Sequence, residues 1–235
     1  MAAEIAVVVG AGPGLGWALS KRFGQAGMIV AAAARNPRNL EALAGRDKAE
    51  NVHLYPCDAA QADRVAELFR TIERDLGSPS LVVFNAGAYE PGRILDIRPE
   101  DFERCWRIGC LGGFLVGQAA ARLMAPKQAG TIIFTGATAS LRGGAGFANL
   151  AVPKFGLRAL AQSMARELGP AGIHVAHVVI DGQIDGERYR HLAAQRGPDS
   201  LLSPDAIADA YYQLHRQHRS AWTHELDMRP WSEKF

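Results

Sequence analysis

Short apolar runs alternate along the chain with longer stretches in which apolar residues recur every three or four positions. Ile5 to Val9 is a β-branched run that ends in glycines, as a strand buried on both faces does. Leu15 to Ala26 has helical composition. Met28 to Ala34 forms a second strand-like run, closed by Arg35-Asn36-Pro37, and Val52 to Tyr55 a third, ended by Pro56-Cys57-Asp58. Gln61 to Leu76 carries Val65, Leu68, Phe69 and Ile72 at helical spacing. Leu81 to Phe84 predicts a fourth strand. Pro99 to Met124 predicts one long helix with proline in its first turn. Thr131 to Phe134, Leu150 to Leu168 and Ile173 to Ile180 continue as strand, helix and strand. Pro204 to His218 predicts a late helix and Glu225 to Met228 a closing strand.

Strands that alternate with helices imply right-handed βαβ crossovers. The expected fold is α/β: a doubly wound parallel sheet of about seven strands with helices on both faces. No internal repeat or linker divides residues 1–235, so one domain is expected. Residues 185–203 are polar and lack a clear period, which predicts a mobile flap over a site.

Composition changes this picture little. The 26 Lys+Arg against 24 Asp+Glu leave a formal +2, which excludes a polybasic nucleic-acid binder. Hydrophobic residues at 48% and charged residues at 21% suit a globular chain rather than a disordered one. Three cysteines, Cys57, Cys105 and Cys110, are odd in number and lack metal-ligand spacing, so a reducing, cytoplasmic compartment is expected. No apolar run is expected to cross a membrane, and the start lacks the pattern of a signal peptide. His215 and His218 share a helix face with no third ligand at recognisable spacing, and no metal site is expected. No G-x-S-x-G elbow of a hydrolase occurs.

The first strand leads into the first helix through Gly10-Ala11-Gly12-Pro13-Gly14-Leu15-Gly16. Gly10, Gly14 and Gly16 fit G-x-x-x-G-x-G. Glycines there permit a tight turn and a close approach of backbone to a pyrophosphate, while the helix N-terminus points its N–H groups at the charge. A dinucleotide-binding turn is expected.

With the motifs that follow, the chain resembles the short-chain dehydrogenase/reductase family over nearly its whole length. Asp58, after the third strand, looks like the family's adenine-contacting aspartate. Asn85-Ala86-Gly87, after the fourth, looks like its N-A-G motif, which shapes the cofactor pocket. Lys154 looks like the lysine of its Y-x-x-x-K motif, which also hydrogen-bonds the nicotinamide ribose. Gly182 and Ile184 stand where its P-G motif meets the nicotinamide. The resemblance implies a nicotinamide cofactor held by Gly10, Gly14, Leu15, Gly16, Arg35, Asp58, Asn85, Gly87, Lys154, Gly182 and Ile184. It also implies a homodimer or homotetramer formed through the helices containing Pro99–Met124 and Leu150–Leu168. At the end of the second strand Ala34 and Arg35 replace the acidic residue that would accept from a ribose 2′-hydroxyl. A guanidinium there suits a 2′-phosphate, so NADP is favoured over NAD, with Arg38 a second contact.

The catalytic positions depart from the family. Four residues before Lys154 stands Leu150 in place of the tyrosine. Thirteen residues before that stands Ala137 in place of the serine, with Thr138 one position on. Gly109 takes the place of the helix asparagine, Asp181 that of the proline of P-G, and Gly186 that of the threonine that usually follows. Lys154 alone is retained. Leucine has no titratable proton, so the family's acid–base step cannot run from position 150. Substitute acids are Tyr89, Tyr189, His191 and Asp185, and Cys110 is a candidate pocket thiol. Two functions follow: an NADP(H)-dependent oxidoreductase acting on a carbonyl or alcohol through a rearranged or impaired site, or an inactive NADP(H)-binding module serving as sensor or partner subunit.

Overall fold

The structure, a computed structural model, describes residues 3–233. Seven parallel strands form one sheet: β1 (Ile5–Val9), β2 (Ile29–Ala34), β3 (Val52–Pro56), β4 (Leu81–Phe84), β5 (Gly130–Thr135), β6 (Ile173–Ile180) and β7 (Glu225–Met228). Their spatial order is β3-β2-β1-β4-β5-β6-β7, a Rossmann-like doubly wound arrangement. The order reverses between β1 and β4, the switch point beyond whose carboxyl ends ligands bind in such sheets.

The strands are apolar on both faces because both faces are covered. Successive side chains of β1 serve two cores: Ala6 and Val8 join one, Val7 and Val9 the other. The first core lies under helices α1 (Leu15–Gln25), α2 (Arg38–Arg46) and α8 (Pro204–His215), through Leu19, Phe23, Leu40, Ile207 and Tyr211. Helices α3 (Ala62–Asp75), α5 (Gly112–Met124) and α6 (Ala148–Leu168) cover the other face with Leu68, Phe69, Val116 and Leu157. Each such fully buried side chain contributes about 1.5–3 kcal/mol. Tyr211 is fully buried, and its hydroxyl donates to Thr135 Oγ1 at 3.0 Å, which satisfies the one polar atom it carries inward.

One expectation needs correction, and two gain detail. The long helix over Pro99–Met124 runs unbroken, as expected, but consists of α4 (Pro99–Trp106), a π turn (Arg107–Leu111) and α5. Gly109 lies in that turn, and a Cβ on it would stand 3.0 Å from Pro153 Cβ; the glycines that weaken the helix also admit this close packing. The run Pro99–Lys127 is long and apolar enough to cross a membrane by length and composition, contrary to expectation. Its apolar content is explained by α5, which packs on the sheet and α6. Residues 185–203 do contain regular structure, a turn at Glu187–Tyr189 and helix α7 (Arg190–Arg196), tied at the base by a bridge between Ile184 and Leu202. Helix α7 buries no residue and leaves no apolar period in the sequence, whereas α2 packs Leu40, Leu43 and Ala44 on the first core at helical spacing.

Candidate functional site

Two hollows open at the carboxyl edge of the sheet. The first is a crevice of about 540 Å³ at the ends of β1–β4, lined by Gly10–Pro13, Arg35, Asp58, Asn85 and Gly87 among others. Local backbone geometry builds it. Gly10 has φ +94°, a left-handed conformation that glycine alone adopts freely, and a Cβ on it would stand 2.4 Å from Ala86 N. Its own N–H and that of Ala11 both donate to Ala33 O. Asn85 Nδ2 donates to Gly10 O at 3.0 Å, so the fourth strand's asparagine clamps the first strand's turn. Gly16 packs against Gly10 O, where a Cβ would clash, while Leu15 is buried in the core. Leu15 and Gly16 thus sit behind the turn rather than in the crevice wall.

The crevice fits a dinucleotide on three observations. Around Gly12 and Gly14 an added Cβ would meet nothing within 4 Å, which leaves space for another molecule to approach the backbone. The first turn of α1 has no side-chain cap and no acidic residue; Trp17 N–H closes back on Gly12 O, while the N–H groups of Leu15 and Gly16 make no hydrogen bond with the described residues and are left for an anion. Arg35 is exposed, and its side chain makes no hydrogen bond or ion pair with the described residues. It borders both this crevice and an adjoining hollow that contains Arg64, a residue the sequence did not single out and which pairs with Glu67 at 3.2 Å. Arg38 lines neither. The carboxylate of Asp58 accepts from Ala60 N at 3.0 Å and Gln61 Nε2 at 3.1 Å, so it shapes its own turn while it borders the crevice.

Lys154 lies deeper. Its Nζ donates to Thr135 O at 2.6 Å and stands 3.9 Å from where a Cβ on Gly87 would be. Burial draws its pKa down to about 8. Pro153 sits in the second turn of α6, because the helix opens at Ala148 rather than near Leu150. Beside it Asn149 is buried, with Nδ2 donating to Glu90 O at 2.9 Å.

The second hollow, about 510 Å³, opens beyond β5 and β6. Ala137 and Leu150 are both in its wall, with Gly182, Ile184, Tyr89 and Tyr189. Gly182 and Ile184 therefore border this cavity and not the first. Gly182 has φ +147°, and Pro230 closes against it. Gly109 lines neither. Tyr89 stacks on Phe147 with centroids 5.3 Å apart, and burial raises its phenol pKa, with the neighbouring Tyr189 adding to the shift. That is the opposite of the lowering that activates a phenol as an acid–base group near neutral pH. Asp185 and His191 are exposed and line no part of the cavity. Cys110 points instead at Gly156, and burial raises its thiol pKa. Thr138 and Asp181, which the sequence separates by 43 positions, meet in this wall: Thr138 Oγ1 donates to Asp181 Oδ1 at 2.5 Å. Only the departures from the family motifs at Ala137 and Asp181 could have flagged that pair.

His177 on β6 is fully buried, its ring 2.4 Å from where a Cβ on Gly136 would be, with Nδ1 3.3 Å from Glu225 Oε1. Burial pushes its pKa down to about 4, against the pull of Glu225. His215 and His218 point to different partners, Thr131 and Ser220. Trp222 stacks on His174, whereas Trp231 is 81% exposed; Phe235 lies outside the described residues.

A doubly wound parallel sheet with a glycine turn at its switch point defines a nucleotide-binding α/β protein. The chain belongs to the short chain dehydrogenase family, whose model matches residues 4–195. Members of that family bind a nicotinamide cofactor. A solved short-chain dehydrogenase from Rhodopseudomonas palustris is 39% identical, with a TM-score of 0.83, over 97% of this chain and 99% of that one. A metagenomic short-chain oxidoreductase solved in complex with NADP is 25% identical, with a TM-score of 0.84 and 98% of each chain covered. Among curated proteins, (21S)-21-acetoxyl-apo-melianone synthase of Melia azedarach is 33% identical over 73% of this chain, and the match spans 64% of that protein's length. A 3-oxoacyl-(acyl-carrier-protein) reductase of Mycobacterium avium is 32% identical over 79% of this chain and 69% of its own.

Proposed function

We propose that the protein is an NADP(H)-dependent oxidoreductase that interconverts a carbonyl and an alcohol through a rearranged site. The observation that carries this reading is the crevice itself, where the glycine turn, Asp58, Asn85 and Gly87 converge beside an unpaired Arg35. Gly10–Gly14 and the first turn of α1 hold the pyrophosphate, Arg35 the 2′-phosphate, Asp58 the adenine, and Lys154 the nicotinamide ribose. When bound, the nicotinamide supplies two-electron oxidation and reduction of a carbon–oxygen bond. The neighbouring structure bound to NADP supports the choice of nucleotide. Gly182 and Ile184 border the substrate end, and residues 185–203, which bring Tyr189 to the cavity, act as its flap.

Half-exposed aromatic and apolar side chains on α4, α5 and α6, among them Trp106, Phe114 and Phe155, support a homodimer or homotetramer through those helices. The three free cysteines support a cytoplasmic location. A charge near balance speaks against a nucleic-acid partner, and the packing of α5 on the sheet against a membrane.

The second reading, an inactive NADP(H)-binding sensor or partner subunit, is favoured by Leu150 and Ala137 in the cavity wall, since neither can donate a proton. Fluorescence titration with NADPH and NADH, followed by turnover with a broad carbonyl panel, decides between the two. The expected result is tight NADPH binding with measurable turnover. Binding without turnover selects the second reading. Arg35→Ala should lower NADPH affinity about 10- to 100-fold, the value of one lost charge-assisted contact, and leave NADH affinity unchanged. An unaltered ratio removes the role given to Arg35.

A further inference from the structure

Asp181 directly follows β6, with its side chain only 6% exposed, at the wall of the second cavity. A buried carboxylate is costly unless both oxygens are partnered. Here Oδ1 accepts from Thr138 Oγ1 at 2.5 Å, and Oδ2 stands 3.3 Å from the Arg229 guanidinium. A carboxylate only accepts, so the hydroxyl proton of Thr138 points at Asp181 and its lone pairs are left for another donor. Thr138 is half-buried, sits one residue beyond Ala137, and lines the same cavity as Leu150. The wall that has Leu150 and Ala137 at the family's tyrosine and serine positions therefore holds a hydroxyl already coupled to a proton acceptor.

We propose that Thr138 is the catalytic hydroxyl of this cavity and that Asp181, acting through it, is the positioning and proton-accepting group, so that the pair replaces the missing acid–base chemistry for a secondary alcohol or its ketone. The inference rests on the oxidoreductase reading above. In the oxidative direction the substrate O–H bond breaks and its proton passes to Thr138 Oγ1, while the Oγ1 proton passes to Asp181 Oδ1. The carbinol C–H bond breaks with its electron pair, which reduces the oxidised nicotinamide, and the carbon–oxygen double bond forms. The alcohol thus loses two electrons and two hydrogens, one to the cofactor and one as a proton that leaves Asp181 for solvent. Ketone reduction is the reverse.

Reduction of acetophenone and cyclohexanone by NADPH tests the pair. Asp181→Asn and Thr138→Val should each lower kcat about 10²- to 10⁴-fold with little change in KM, and Thr138→Ser should retain most activity. The same Asp181→Asn change, made with Ala137→Ser and Leu150→Tyr in place, should cost less than about tenfold, because the restored phenol takes over the proton. A merely structural role for Asp181 would carry its cost into both backgrounds and overturn the proposal. A readout without turnover is the affinity of 1-phenylethanol for the protein loaded with NADPH, a pair that cannot react, because the alcohol hydroxyl donates to the free lone pair of Thr138 Oγ1. Thr138→Val should bind it about tenfold more weakly, and equal affinity in the two proteins overturns the proposal even if Asp181→Asn fails to fold. Wild-type protein that binds NADPH but reduces neither ketone also overturns it and leaves the nucleotide site standing. Failure to bind NADPH overturns the oxidoreductase reading itself.

Discussion

The crevice over β1–β4 and the cavity over β5 and β6 lie along one edge of one sheet, yet they are made of different things. Backbone makes the first. Gly10 holds a left-handed φ against Ala86, its carbonyl takes the Asn85 amide, and Gly12 and Gly14 leave open space. Side chains make the second: Ala137, Thr138, Leu150, Asp181, Tyr89, Tyr189 and Phe147 line it from positions outside the left-handed backbone region. Backbone-built sites tolerate few substitutions, because any side chain displaces the chain itself. Side-chain-built sites can change their chemistry residue by residue without disturbing the fold. That difference explains how a chain can keep its nucleotide motifs while its acid–base positions are rewritten.

The sharpest way to break this comparison is Gly10→Val. The substituent would have to occupy space 2.4 Å from Ala86 N at φ +94°. A loss of more than about 4 kcal/mol, together with loss of NADPH binding, is expected by urea unfolding and fluorescence titration. Leu150→Tyr, in the roomy cavity wall, should stay within about 1.5 kcal/mol of wild type. Equal costs at the two positions would end the distinction.

Acid should destabilise the fold through the buried histidines of β6 and α8. His177 has a pKa of about 4 in the folded protein against 6.5 when unfolded, so on acidification the unfolded chain takes the proton first. Its contribution is intact above pH 6.5 and lost as pH falls toward 4. His174 and His215, also lowered by burial, act in the same direction. Denaturant midpoints measured from pH 7 to pH 4 should fall, and His177→Gln should flatten that slope. A parallel slope in the variant would assign the acid sensitivity elsewhere.

Lys154 lies between the two regions and gives the smallest stability effect. Its charged form is penalised by burial below pH 8, and the penalty fades as pH rises toward 10.5, where the unfolded chain also loses the proton. Lys154→Met removes that penalty and the bond to Thr135 O, so it should be more stable at pH 7 by about 1–2 kcal/mol while binding NADPH more weakly. The gain should shrink above pH 8 in pH-dependent thermal unfolding. Undiminished NADPH affinity would place Lys154 outside the nucleotide site.

Seven strands and the long helices were legible in the sequence because run length and period are local properties. The crevice was legible for a related reason: Gly10, Asp58, Asn85 and Gly87 each directly follow a strand, and a parallel sheet brings all its carboxyl ends to one edge. The π turn at Arg107–Leu111 was hidden, since it depends on how closely Gly109 meets Pro153 on another helix. Helix α7 was hidden because it buries no residue, whereas the short period of Leu40, Leu43 and Ala44 in α2 could have been read.

By itself, then, the amino-acid order determined the succession of elements, the place of the nucleotide turn and the absence of a hydroxyl at positions 137 and 150. Each of these is written in neighbouring residues. Tertiary structure alone decided that Thr138 reaches Asp181, that Lys154 is buried against Thr135 and that His177 is buried beside Glu225. Hydrogen bonds between side chains and shifts of pKa depend on distances of a few ångströms and on burial, and those are created only when strands far apart in the chain come to lie side by side.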